Sequence, residues 1–166
     1  EMCIRDRIIP EYADFHWRHL HPQIKDVAFL PYHKREYYEA VSEAIKRYET
    51  QVRRKTNSSL DGQSLMQSAF SPENEKDAKG TTYKLSIMKN KRKSDQSPFS
   101  EKTIQNIEDG QRYLSVGVIA GVRNPLAHEE IKELQASGVF SEKDCLDSLS
   151  LLSCLLYTSP SPRDRT

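Results

Sequence analysis

Apolar residues recur at helical spacing through most of this chain, and strand-like alternation is missing over any useful length. Between Ile8 and His21, Tyr12, Phe15 and Trp17 predict a short helix with packed aromatics and surface histidines. Pro22 suits a first helical turn, and Ile24, Val27, Ala28 and Leu30 form a face that Pro31 is expected to interrupt. The clearest stripe is Tyr37, Val41, Ala44, Ile45, Tyr48 and Val52, predicting a long helix over Lys34–Lys55 with charged residues opposite. Asn57-Ser58-Ser59 reads as a turn. Asp61 reads as an N-cap for a short helix carrying Leu65, Met66, Ala69 and Phe70, which Ser71-Pro72 ends.

A central helix is predicted from Ser100 or Thr103 to Arg123, with Ile104, Ile107, Leu114, Val118 and Val122 on one stripe and Gln111 inserted. Val116, Ile119 and Ala120 widen its apolar surface beyond what one core face requires. Gly117 and Gly121 each cost about 1 kcal/mol against alanine in a helix. Tight packing within the chain and a helix–helix dimer seam are both compatible with such a pair. Pro125 is expected to end this helix and to push Asn124 out of the α region. A looser segment follows to Phe140. Ser141-x-x-Asp144 then reads as a capping box for a last helix with Leu146, Leu149, Leu152 and Leu155. The fold class expected is all-α, a bundle of about four or five helices.

Composition narrows this further. The 166 residues suffice for one domain with a core, and 36% hydrophobic against 30% charged places the chain on the polar side of globular. The net charge of +1 announces no global field for nucleic acid, so any such binding must come from local patches. No apolar run is long enough to span a membrane. Glu1–Arg7 and the tail from Cys154 resemble translated sequencing-adapter read-through rather than natural termini. Setting aside 1–7 and 154–166 leaves a single domain over 8–153. Cys145 is then the one cysteine left, expected to pack rather than react, and a reducing cytoplasm is the expected location.

Three stretches carry candidate chemistry. His16, His19 and His21 match no familiar metal spacing, and neither a metal nor a cofactor is expected. The segment 71–100 reads as a flexible basic loop. Within it Lys84, Lys89, Lys91, Arg92 and Lys93 are either a solvated run or a grip on single-stranded RNA, with Tyr83 as a stacking face. The basic triplet Arg53, Arg54 and Lys55 complements a helix C-terminus, or touches phosphate. Most informative is Arg123-Asn124-Pro125-Leu126-Ala127-His128. A planar guanidinium fits two phosphate oxygens, and an imidazole moves protons near neutrality. Together they suit cleavage of RNA by its own 2′-hydroxyl, or merely a salt bridge of either side chain to Glu129 or Glu130.

That arginine–histidine spacing resembles the R-x(4–6)-H motif of HEPN domains. LHPQIKDVAF, YYEAVSEAIKRYE, DGQSLMQSAF and GQRYLSVGVIAGVRNPLAHE resemble, in order, the Ymh-type family of HEPN-like bacterial and phage proteins. The resemblance implies a HEPN-like bundle, a homodimer with the motif at its cleft, and a metal-independent endoribonuclease of toxin, abortive-infection or phage-defence type. On this reading His128 is the acid/base, Arg123 the phosphate and transition-state stabiliser and Asn124 the orienting donor, with Glu129 a secondary candidate to orient His128. RNA is the expected partner, an antitoxin or other protein a further one. The alternative is a non-catalytic HEPN-like dimeric module that binds RNA, a nucleotide or a protein. A DNA-binding regulator is disfavoured, because no recognition helix with basic polar positions stands out.

Overall fold

A computed structural model describes residues 10–77, 80–88, 99–138 and 140–158. In chain order these form helices α1 (Pro10–His19), α2 (Pro22–His33), α3 (Tyr37–Thr56) and α4 (Gly62–Phe70), then strands β1 (Pro72–Asp77) and β2 (Gly80–Tyr83). Helix α5 (Glu101–Val118) follows, then a π-helical turn (Ile119–Arg123), α6 (Asn124–His128), α7 (Ile131–Ser137) and α8 (Glu142–Thr158). The chain is predominantly helical, as its periodicity predicts, with more and shorter helices than expected.

By internal packing the chain divides into residues 1–48 with 121–156, and 49–120 with 157–166. In the first unit, α3 buries Val41, Ala44, Ile45 and Tyr48, and α8 buries Cys145, Leu146, Leu149, Leu152 and Leu155. Both sets have the three- and four-residue steps of a single helical face. Helices α1 and α8 run in the same direction, since two bonds climb both together and a third, from His21 just past α1, continues the order. The Tyr12 hydroxyl donates to Asp147 Oδ1 (2.8 Å), His16 Nδ1 meets Ser150 Oγ (2.6 Å), and the His21 N–H donates to Ser153 Oγ (2.5 Å). The histidines are therefore not all surface decoration. His16 is half-buried, and His21 caps α2 by accepting from the Gln23 N–H at 3.2 Å. The predicted box at the start of α8 forms reciprocally: the Ser141 N–H donates to Asp144 Oδ2 (2.7 Å) and the Asp144 N–H to Ser141 Oγ (3.3 Å).

In the second unit, Leu65, Met66, Ala69 and Phe70 of α4 are buried, as are Leu85, Met88, Ile104 and Val118. The α5 stripe departs from the expected one. Its buried positions are Ile104, Glu108, Gln111, Ser115 and Val118, whereas Leu114 is 53% exposed. The polar stripe is bonded inside except at Gln111 Nε2, a buried donor without a partner among the described residues. The Ser115 hydroxyl donates to the Gln111 carbonyl (2.7 Å), and the Thr158 hydroxyl to Gln111 Oε1 (3.0 Å).

Three further expectations change. The segment 71–100, read as a loop, begins with an antiparallel hairpin pairing Lys76 with Thr81 and Asp77 with Gly80. Strand β1, PENEKD, has no apolar residue, so alternation had nothing to register. Pro31 lies inside α2 near its C-terminal end, where one missing donor ends nothing. The segment after His128 is not merely loose but contains α7.

Candidate functional site

Pro125 does not break the motif helix. Arg123 is helical (φ −62°, ψ −45°), Asn124 begins α6, and the chain leaves helix only at Glu129 (φ −99°, ψ 149°). The π turn over Ile119–Arg123 explains how. Proline cannot donate to the carbonyl four residues back, and its ring crowds that carbonyl. A π turn is wider, and pairs a carbonyl with the N–H one residue further on, past the proline. The expectation that Asn124 leaves the α region is thus corrected, with helix running on both sides of Pro125.

This continuity decides where the two motif side chains go. Five helical residues turn about 500°, so Arg123 and His128 stand about 140° apart around the axis and about 7.5 Å along it. They occupy different flanks of one helix rather than one face. Arg123 is half-buried and His128 exposed. The Arg123 Nη1 donates to Asn124 Oδ1 at 3.4 Å, a long contact that leaves most of the guanidinium fork unused. Among the described residues no ion pair joins Arg123 or His128 to a carboxylate, Glu129 and Glu130 included. No hydrogen bond links Glu129 to His128 among them either, and Glu129 is exposed.

Another side of this helix borders a partly open cavity. Gly121, Val122, Pro125 and Leu126 line this cavity of about 320 Å³ together with Tyr38, Leu134, Phe140, Asp144, Asp147 and Ser148. The Tyr38 and Phe140 rings lie 4.8 Å apart. Burial pushes the Asp147 carboxyl up, but hydrogen bonds from Lys143 and Tyr12 outweigh it and hold the group below the usual carboxylate range. The Cys145 thiol is pushed up to about 12, first by burial and then by the charge of Glu142. It stays a neutral thiol at ordinary pH and packs, as the sequence implied.

Of the basic run, Lys84 is exposed and donates to Ser68 Oγ at 3.1 Å. Lys89, Lys91, Arg92 and Lys93 lie outside the described residues. What anchors the start of that run is a residue the sequence reading passed over. Glu108, 1% exposed, accepts from the Ser86 hydroxyl (2.5 Å), the Met88 N–H (3.1 Å) and the Ile87 N–H (3.2 Å). Its place four residues beyond Ile104 on the same face was the available signal. Among the described residues no group of three or more His, Cys, Asp or Glu side chains is placed to hold a metal. No helix among them is long and apolar enough to cross a membrane.

A helical chain with an arginine and a histidine on one motif helix is the class these observations define. Within it, the chain belongs to the family described as "Protein of unknown function (Hypoth_ymh)", which matches residues 18–158. Neither curated proteins nor solved structures return a match.

Proposed function

We propose that this protein is a HEPN-type endoribonuclease that acts as a homodimer, of the kind used in toxin, abortive-infection or phage-defence systems. The observation that carries the reading is the state of the motif. His128 is followed directly by Glu129 and Glu130, yet neither it nor Arg123 is ion-paired among the described residues. Both are left with capacity for a phosphate.

In this mechanism His128 takes the proton of a ribose 2′-hydroxyl. The oxygen attacks the adjacent phosphorus, and Arg123 stabilises the charge that builds on the phosphorane. The leaving 5′-oxygen takes a proton from a second imidazole, and the product carries a 2′,3′-cyclic phosphate. One chain has one motif histidine, so the acid comes from a second copy. The separation of Arg123 and His128 around their helix argues the same way, because a phosphate held by one flank needs an imidazole from elsewhere.

Support for a second copy comes from the helix before the motif. Tyr113 is 65% and Leu114 53% exposed, and Gly117 and Ala120 continue the exposed strip. A Cβ added at Gly117 or at Gly121 would meet nothing within 4 Å. Packing within the chain therefore does not explain these glycines, whereas close approach of another helix does.

The test is cleavage of labelled RNA in the presence of a chelator by the unaltered protein, Arg123→Ala and His128→Ala. Cyclic-phosphate ends formed by the unaltered protein and lost in both variants are expected. RNA binding without cleavage, equal in all three, overturns the enzymatic reading. That outcome favours the alternative, a non-catalytic dimeric module.

A further inference from the structure

Away from the motif, α1 and α2 each present one face to a hollow of about 540 Å³ lined by Asp14, Trp17, Arg18, Lys25, Phe29 and His33. The spacing is helical on both sides: Asp14, Trp17 and Arg18 on α1, and Lys25, Phe29 and His33 on successive turns of α2. The rings are ordered among themselves. Phe29 and His33 are tilted by only 34° with centroids 4.1 Å apart, and Trp17 meets Phe29 edge-on at 78° and 5.8 Å. Yet Phe29, a large apolar ring, is 55% exposed. An aromatic corner with one face open to solvent is a surface on which another flat ring can stack.

The charges at the hollow complete the pattern. Arg18 is exposed and Lys25 half-buried. Each spends a bond on a backbone carbonyl rather than on a carboxylate: Arg18 Nε on that of Asp14 (3.4 Å), and Lys25 Nζ on that of Arg18 (3.2 Å). Asp14 lines the same hollow, but among the described residues no ion pair joins it to either cation. Two cations, outnumbering one carboxylate, thus flank stacked rings. Single-stranded nucleic acid offers the complement, a flat base joined to a phosphate, and proteins that hold it combine aromatic platforms with cations.

We infer that the Trp17/Phe29/His33 corner with Arg18 and Lys25 is a nucleotide-binding subsite that holds one base and its phosphate of a single-stranded RNA. The choice of RNA rests on the function proposed above. The stacking and charge argument does not, and single-stranded DNA of the same sequence binds within a few-fold, because nothing in the hollow reads a 2′-hydroxyl. The subsite positions the strand and takes no part in the chemistry at His128.

Trp17 is the single tryptophan of the chain, so its fluorescence reports this hollow directly. Titration of the intact protein with a short unstructured oligoribonucleotide is expected to quench Trp17 emission saturably. Phe29→Ala weakens that binding about tenfold, the scale of one lost stacked base. Phe29→Tyr, which keeps the ring, restores it. Lys25→Ala lowers the salt dependence by roughly one phosphate's share, a slope change of about 0.7. Absence of quenching, or quenching untouched by Phe29→Ala and Lys25→Ala in variants whose circular dichroism matches the parent, overturns the inference. The same titration on Arg123→Ala and His128→Ala separates the two readings. Quenching retained in both variants, with cleavage lost only in them, supports both readings. Quenching of the unaltered protein without any cleavage leaves the subsite standing and the enzyme refuted, and cleavage by the unaltered protein without quenching does the reverse.

Discussion

The carboxylate of Glu108 sits almost wholly out of solvent and accepts from one hydroxyl and two backbone N–H groups of residues 86–88. A buried acceptor of this kind holds the chain just after Lys84 to the middle of α5, so a local ladder of bonds positions the entry to the basic run. Removing it leaves three donors without a partner. Each buried unsatisfied group costs about 1–3 kcal/mol. Glu108→Ala is therefore expected to lose about 3 kcal/mol or more in urea denaturation. Glu108→Gln, which keeps a carbonyl acceptor but gives up charge assistance, loses about 1–2 kcal/mol. Equal losses in the two variants count against this account. Nothing in the local sequence announces the role, because a glutamate inside an amphipathic helix is ordinarily solvated. Only its register with Ile104, Gln111 and Ser115 hints that it faces inward.

At the scale of elements, the π turn is the feature on which the motif depends. Helix signals around it were legible: the apolar period into Val122, the start near Ser100, and the capping box at Ser141. Ser100 accepts from the Thr103 N–H at 3.2 Å, and the box at Ser141 closes as its spacing predicts. What the proline does was not legible, because a missing donor can be met either by ending the helix or by widening one turn. The extra residue in the turn rotates everything after it, which sets Arg123 and His128 relative to Gly121, Val122, Pro125 and Leu126 beside the cavity. Pro125→Ala restores the donor and removes the need for the wide turn. Far-UV circular dichroism is expected to stay the same while RNA cleavage falls about a hundredfold, the scale of a one-ångström misplacement. Unchanged cleavage in this variant means that the π turn does not set the motif's geometry.

For the molecule as a whole, the proposed dimer makes the exposed strip of α5 the surface to test, since a net charge of +1 supplies no global binding field. Tyr113 is engaged only locally, with the Arg112 guanidinium 4.9 Å from its ring centroid. Gly117→Ala has room for its methyl group and is expected to stabilise an isolated chain by about 1 kcal/mol, through helix propensity. Gly117→Lys has the same room for its Cβ and places a long cation where a second helix would approach. Light scattering is expected to show a dimer for the unaltered protein and a monomer for Gly117→Lys, with cleavage lost in step. A Gly117→Lys dimer that still cleaves RNA places the seam elsewhere.

The sequence by itself determined most of the helices and the cap at Ser141, since apolar period, capping side chains and propensity act over a few residues. Asp61, expected as an N-cap, stands at its helix start without a side-chain cap bond. The sequence also placed Arg123 and His128 on one short segment. The tertiary structure alone decided which face of each helix is covered, and with it the burial of Glu108, the aromatic corner of Trp17, Phe29 and His33, and the open space at Gly117. These depend on partners far away along the chain, as when residues of α1 meet Asp147 and Ser150 of α8. GVIAGVRNPLAHEE reads from the sequence as a helix end; in the fold it is a helix that a wide turn carries past its proline.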